Sequence, residues 1–202
     1  MKRAFDFCAS LVALVLVSPI LGIIAVAVRA SSPGPVLFRA RRAGVDGRPF
    51  DMLKFRTMRQ DSPDLRNPDG STFNAAGDPR VTHTGAWLRR TSLDELPQLW
   101  NVICGDMSLV GPRPDLPDQL RLYTEADYQR LRVRPGLTGL AQVSGRNRLT
   151  WQQRRALDLE YVSSRSMWLD LSILARTVPG VLFGRGVFGV TDNEPHDESR
   201  QN

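Results

Sequence analysis

Cysteine, histidine and aromatic residues are scarce in this chain, and each scarcity removes a class of protein. Its 202 residues include two cysteines and two histidines. Cys8 lies in an apolar N-terminal run and Cys104 in a second apolar run, so a disulfide framework is excluded and a reducing compartment fits. His83 and His196 are far apart, and no zinc-type ligand spacing occurs. Aromatic residues make up 7% of the chain, too few to build stacking platforms for single-stranded nucleic acid. There is no internal repeat.

Positive charge is plentiful. The net charge is +6 and the isoelectric point about 10.1, which points to anionic partners: phosphorylated small molecules, an anionic membrane face or nucleic acid. The length suits one domain with a real core.

Leu11 to Val28 is uncharged and about 18 residues long, the lower end of what a membrane-spanning helix needs. Three readings compete. A cleaved leader is suggested by Lys2-Arg3 and by Ala25-Val26-Ala27, but Arg29, Arg39, Arg41 and Arg42 follow, and such charge tends to stay in the cytoplasm. A plain transmembrane helix would kink at Pro19, whose ring pushes on the Val15 carbonyl; the Ser18 hydroxyl can satisfy part of the freed backbone. A re-entrant hairpin splits at Ser18-Pro19, and its second half, Ile20 to Val28, is about 13 Å long, roughly one leaflet of a core about 30 Å thick. Basic residues flank both ends of the run, which favours the re-entrant reading with both ends on the cytoplasmic side.

The breaker cluster Ser31-Ser32-Pro33-Gly34-Pro35 sets a boundary. The organisation expected is an anchor over 1–32, a catalytic domain over 33–190 and a disordered polar tail over 191–202. Val36 to Arg39 and Phe50 to Met58 read as strands of a short hairpin around Asp46-Gly47. Met52, Lys54 and Arg56 alternate onto one face, either as a phosphate-binding pair of cations or as a solvated basic edge. Asp61 to Arg80 reads as a long loop, a candidate cover for a site. A short helix is expected near Gly85 to Arg90 and another over Trp151 to Ser163, with Trp151, Leu157 and Tyr161 inward. Helical spacing also marks Pro117 to Arg132. Trp168, Leu171, Leu174 and Val178 form a stripe, fitting either an interfacial helix with Arg176 at the headgroups or an ordinary core helix.

Candidate chemistry concentrates in Thr91 to Asn101. The adjacent carboxylates Asp94 and Glu95 follow Arg89-Arg90, which is what a phosphate site with a metal ion requires. Ser92-Leu93-Asp94-Glu95 also fits a capping box, with Ser92 as N-cap and Glu95 at the third helical position. In a first helical turn the macrodipole would favour the ionised carboxylate, a competent nucleophile toward phosphorus. Pro97 would then cost an early helix bond, so the helix can instead begin nearer Glu95. Arg113, between Pro112 and Pro114, starts with little freedom to lose and suits bidentate phosphate recognition, though an exposed turn arginine is the plainer reading. Arg146, after Gly145, is similar.

Taken in order, Ser18-Pro19, Lys54-Phe55-Arg56-Thr57-Met58, Leu88 to Gln98, Gly105 to Pro114, Pro135-Gly136-Leu137-Thr138-Gly139 and Gly145-Arg146-Asn147 resemble the bacterial sugar transferase family, the small monotopic phosphoglycosyl transferases. The resemblance covers nearly the whole chain outside Asp61 to Asn74 and the tail. It implies an α+β monotopic membrane protein: an N-terminal re-entrant helix-break-helix, a small, mostly helical cytoplasmic domain with a short β-hairpin, and interfacial amphipathic helices. It implies transfer of a sugar 1-phosphate from a UDP-sugar to a polyprenol phosphate at the inner membrane, with UMP leaving. Asp94 would be the nucleophile, Glu95 would bind Mg²⁺ with Asp94, and Lys54, Arg89, Arg113 and Arg146 would surround the phosphates. Asp158 and Asp170 fall where the family tends to carry acids. The partners implied are UDP-sugar, polyprenol phosphate and membrane lipid, without nucleic acid; a homodimer is compatible with the sequence. The rival readings are a non-enzymatic basic membrane-surface protein that binds anionic lipid or nucleic acid, and a secreted or periplasmic protein with a cleaved leader.

Overall fold

The computed structural model describes residues 1–63, 65, 77–145 and 149–182. Arg146, most of the loop after Asp61 and the tail expected over 191–202 lie outside the described residues.

Helix α1, Lys2–Ser31, is apolar all round through its middle and long enough to cross a membrane. It passes through Pro19 unbroken, so the helix break expected at Ser18-Pro19 is absent. The Ser18 hydroxyl donates to the Val15 carbonyl at 2.8 Å, and this is the acceptor that proline's missing N–H leaves free. One face of α1 is embedded in the protein: Phe5, Ala9, Ala13, Leu14 and Val17 pack on the main core, and Ile24 and Val28 pack with Phe55 and Leu88 in a second cluster. The opposite face, Leu11, Val12, Val15, Leu16, Ile20, Ile23 and Val26, is exposed. Polar clamps hold both ends. Lys2 pairs with Asp170 at 2.6 Å, Arg3 donates to the carbonyls of Val102 and Ile103, and Asp6 accepts from Ser108 at 2.8 Å. At the far end Arg56 donates to the carbonyls of Val28, Ser32 and Pro35. Arg56 is thus spent on the helix end, and neither cation of the Lys54–Arg56 pair forms a solvated edge.

Strands β1, Leu37–Ala43, and β2, Pro49–Phe55, form the expected antiparallel hairpin. The turn needs left-handed backbone at Asp46 (φ 54°) and Gly47 (φ 75°), which these residue types tolerate. Ala40, Phe50 and Met52 face the core. Helices α2, His83–Thr91, and α3, Gln98–Cys104, follow. α3 is locked to the hairpin by Asn101, which is 3% exposed. Its Oδ1 accepts from the Leu53 amide and its Nδ2 donates to the Asp51 carbonyl, both at 2.9 Å, so the side-chain amide pairs with β2 as a neighbouring strand would. Asn101→Ala leaves two backbone groups without partners and is expected to cost about 2–4 kcal/mol. Thermal unfolding in detergent measures it; an unchanged melting temperature would deny Asn101 this role.

A parallel pair that no sequence pattern marks joins β3, Ser108–Val110, to β4, Gly136–Thr138. The chains approach so closely that a Cβ on Gly136 would collide with the Gly111 nitrogen. The stretch Pro117 to Arg132 is not one helix but two 3₁₀ segments, Pro117–Leu122 and Asp127–Arg132. Asp127 takes the Thr124 amide and hydroxyl as donors at 2.7 and 2.6 Å, and this side-chain turn competes with a continuous helix. After the short α4, Leu140–Ser144, helix α5, Trp151–Ser164, buries Tyr161, and α6, Met167–Leu182, buries Ile173 and Asp170. On α6, Trp168, Leu171 and Val178 are exposed.

Candidate active site

Three backbone devices bring the site together. α2 ends at Ser92, which adopts left-handed backbone (φ 57°) and donates its N–H to the Arg89 carbonyl. A single 3₁₀ turn, Leu93–Glu95, follows, and α3 starts at Gln98 with Pro97 just ahead of it. The capping box expected at Ser92 and Glu95 is therefore not formed. Ser92 closes the preceding helix, Glu95 turns to cations elsewhere, and Pro97 sits where no helical N–H is needed.

Glu95 is gripped from two sides. Lys54 on β2 approaches it at 2.8 Å and Arg113, after β3, at 2.7 Å. The chain has only two lysines, Lys2 and Lys54, and each is committed to a carboxylate. Burial alone would raise the Glu95 pKa, but the charges of Arg113 and Lys54 and their hydrogen bonds outweigh it and hold Glu95 well below the usual carboxylate range. Glu95 in turn pushes the Arg113 pKa upward. Asp94 is 8% exposed and accepts no hydrogen bond from any described residue. Burial, followed by repulsion from Glu95, raises its pKa to about 6, against the pull of Lys54, Arg89 and Arg113. The macrodipole expectation of a favoured charge is thus reversed: no α-helix begins at Asp94, and desolvation dominates. Arg89, on the last turn of α2, donates to the Thr57 hydroxyl at 2.9 Å. Burial lowers the Arg89 pKa and nearby Asp94 offsets it.

Lys54, Arg89, Arg113, Asp94 and Glu95 therefore converge. Asp158 and Asp170 do not join them. Asp170 holds Lys2 and accepts from the Tyr161 hydroxyl at 2.7 Å, a structural tie between α1, α5 and α6. Asp158 pairs with Arg130 at 2.7 Å, behind Arg113. Arg130 has no signature in the sequence, because its partners Asp115 and Asp158 are distant in the chain and no spacing rule links them. Among the described residues no third acid joins Asp94 and Glu95. Two hard carboxylates, one of them without a described hydrogen-bond donor, still suit Mg²⁺, which commonly takes one or two protein carboxylates beside water and substrate oxygens.

What this arrangement can do chemically is hold anionic phosphoryl groups against an ionisable carboxylate that no described donor occupies. Comparison with known proteins gives the family. The bacterial sugar transferase family matches residues 1–184. The exopolysaccharide production protein ExoY of Rhizobium meliloti is 46% identical over 198 residues, covering 93% of this chain and 88% of that protein. The UDP-glucose:undecaprenyl-phosphate glucose-1-phosphate transferase of Caulobacter vibrioides is 46% identical over 191 residues, with 90% of this chain and 69% of the relative covered. Its counterpart in Escherichia coli is 45% identical over 186 residues, 88% of this chain and 39% of a longer protein. A family match spanning nearly the whole chain, on top of a converged carboxylate and cation site, makes this protein a member of the bacterial sugar transferase family and an enzyme of the transferase class.

Proposed function

We propose that the enzyme transfers a sugar 1-phosphate from a UDP-sugar to a membrane polyprenol phosphate in two displacements at Asp94. The observation that carries this reading is the asymmetry of the carboxylate pair: Glu95 is paired with Lys54 and Arg113, whereas Asp94 is buried and takes no hydrogen bond from a described residue. In the first step an Asp94 Oδ atom attacks the sugar-bearing phosphorus. The bond from that phosphorus to the bridging oxygen breaks, and UMP leaves. In the second, a phosphate oxygen of the polyprenol phosphate attacks the same phosphorus and Asp94 is released as a carboxylate. The covalent step lets one pocket serve two anionic substrates in turn. Lys54, Arg89 and Arg113 supply positive charge where the phosphoryl oxygens gain negative charge. Asp94 and Glu95 would hold Mg²⁺, which would supply further neutralisation of phosphate charge. The relatives named for UDP-glucose and undecaprenyl phosphate support this substrate class.

The same proposal includes monotopic insertion from the cytoplasmic side. It is supported by α1 being held at both ends on one domain, by Lys2 and Arg3 at one end and Arg56 at the other, while its outward face is apolar. Exposed Trp168, Leu171 and Val178 on α6 favour an interfacial face there.

Detergent-solubilised protein incubated with a panel of UDP-sugars and polyprenol phosphate is expected to release UMP with at least one donor; a membrane-surface binder would release none. The pH dependence has a definite sign. Asp94 attacks only when ionised, and its pKa is raised to about 6. kcat/KM is therefore expected to fall as pH drops from 7 to 5, with the midpoint moving lower as Mg²⁺ is raised. A rate flat across this range even at the lowest Mg²⁺ that supports turnover would argue against Asp94 as the attacking group.

A further inference from the structure

We infer that Arg130 is a positioning residue for the transfer, acting through Arg113: its buried guanidinium holds the Pro112–Asp115 turn from behind, so that the Arg113 side chain meets Glu95. This rests on the reaction proposed above. Arg130 is 5% exposed and its donors are committed. Nη1 donates to Asp115 Oδ2 at 2.7 Å and to the Tyr123 hydroxyl at 2.9 Å. Nη2 donates to Asp158 Oδ2 at 2.7 Å and to the Arg113 carbonyl at 3.4 Å, and Nε donates to Asp158 Oδ2 at 3.2 Å. The Tyr123 ring lies against the guanidinium at 5.5 Å, and the Tyr123 hydroxyl donates to Asp115 Oδ2 at 2.6 Å. Burial, with Asp115 beside it, keeps that hydroxyl protonated and able to donate.

The contacts fall on both sides of Pro114. The Arg113 carbonyl is held before it and the Asp115 carboxylate after it, while the proline ring fixes φ between them. A turn fixed at those points sets where the Arg113 side chain begins, and that side chain ends 2.7 Å from Glu95. Asp158, on α5, steadies Arg130 from the opposite side without touching the dyad. Lysine cannot take this place, because one ammonium cannot serve Asp115, Asp158, Tyr123 and a carbonyl in a fixed planar fork.

The alternative is that Arg130 merely holds the core. A double-mutant cycle separates the two, using the full chain in detergent and UMP release as the readout. Arg113→Ala is expected to lower kcat/KM about 10²-fold, the size of losing one charge-stabilising donor. Arg130→Lys is expected to cost about tenfold in kcat, with KM for the UDP-sugar within about twofold of the parent. Together they are expected to cost no more than about twofold beyond Arg113→Ala alone, since the group being positioned is gone. Losses that multiply overturn the inference, as does a wild-type kcat in Arg130→Lys. Should Arg130→Lys lose its thermal transition, Tyr123→Phe runs the same cycle. Deleting that hydroxyl is expected to cost about threefold, again absorbed by Arg113→Ala; a multiplied loss there overturns the inference equally. A parent protein that releases no UMP from any UDP-sugar refutes the proposed reaction itself, before any variant is made.

Discussion

Asp94→Asn is expected to abolish UMP release, by at least about 10³-fold, while the protein keeps its melting temperature within a few degrees. The substitution is nearly isosteric and replaces a carboxylate that takes no hydrogen bond from a described residue, so the described fold loses no bond through it. It also removes a buried carboxylate whose ionisation burial opposes, which is why folding is not expected to suffer. What is lost is the oxygen that would bond to phosphorus; a carboxamide is a far weaker nucleophile and stays neutral at every working pH. Near-normal UMP release from a folded Asp94→Asn protein would remove Asp94 from the nucleophile's place.

Glu95→Gln is expected to have the next largest effect, about 10²-fold or more in kcat. Glutamine keeps the shape of Glu95 but not its charge, so Lys54 and Arg113 lose the carboxylate that aligns both of them. One of the two proposed Mg²⁺ ligands is weakened as well, so the Mg²⁺ concentration needed for half-maximal rate is expected to rise. A third consequence is read with each protein at its own saturating Mg²⁺. Glu95 is among the causes that raise the Asp94 pKa, so without its charge Asp94 ionises more easily. The acid limb of kcat/KM is therefore expected to move to lower pH under that condition even as the maximal rate falls. An unchanged Mg²⁺ titration would count against Glu95 as a metal ligand, and an acid limb that moves upward would contradict the coupling of the pair.

The parts of this site legible in the sequence are those written in short-range chemistry. Asp46-Gly47 marks a hairpin because both residues tolerate the left-handed backbone the turn uses. The dyad and its cations stand out as residue types, and the order of motifs carries the family. The capping-box reading fails at Ser92 and Glu95 for a tertiary reason. A local pattern offers Glu95 a weak partner in its own turn, whereas the fold offers it Lys54 and Arg113, 41 and 18 residues away. Two full charges outweigh one backbone amide. The β3–β4 pair is illegible because three-residue strands carry no period, and their pairing depends on Gly111 and Gly136 letting two backbones touch. In α1 the helix runs on through Pro19, where a break was expected, and the Ser18 hydroxyl beside it takes up the carbonyl the proline leaves without a donor. Arg130 is silent in the sequence because its meaning lies entirely in Asp115, Tyr123 and Asp158, which only the fold assembles.

Single-turnover mixing with a UDP-sugar labelled in its sugar phosphate, without polyprenol phosphate, followed by rapid quenching and peptide mapping, tests the central claim most directly. Label is expected on the peptide containing Asp94, formed in step with UMP and discharged when polyprenol phosphate is added. An active enzyme that repeatedly shows no label on that peptide, and releases UMP only when both substrates are present, would contradict it.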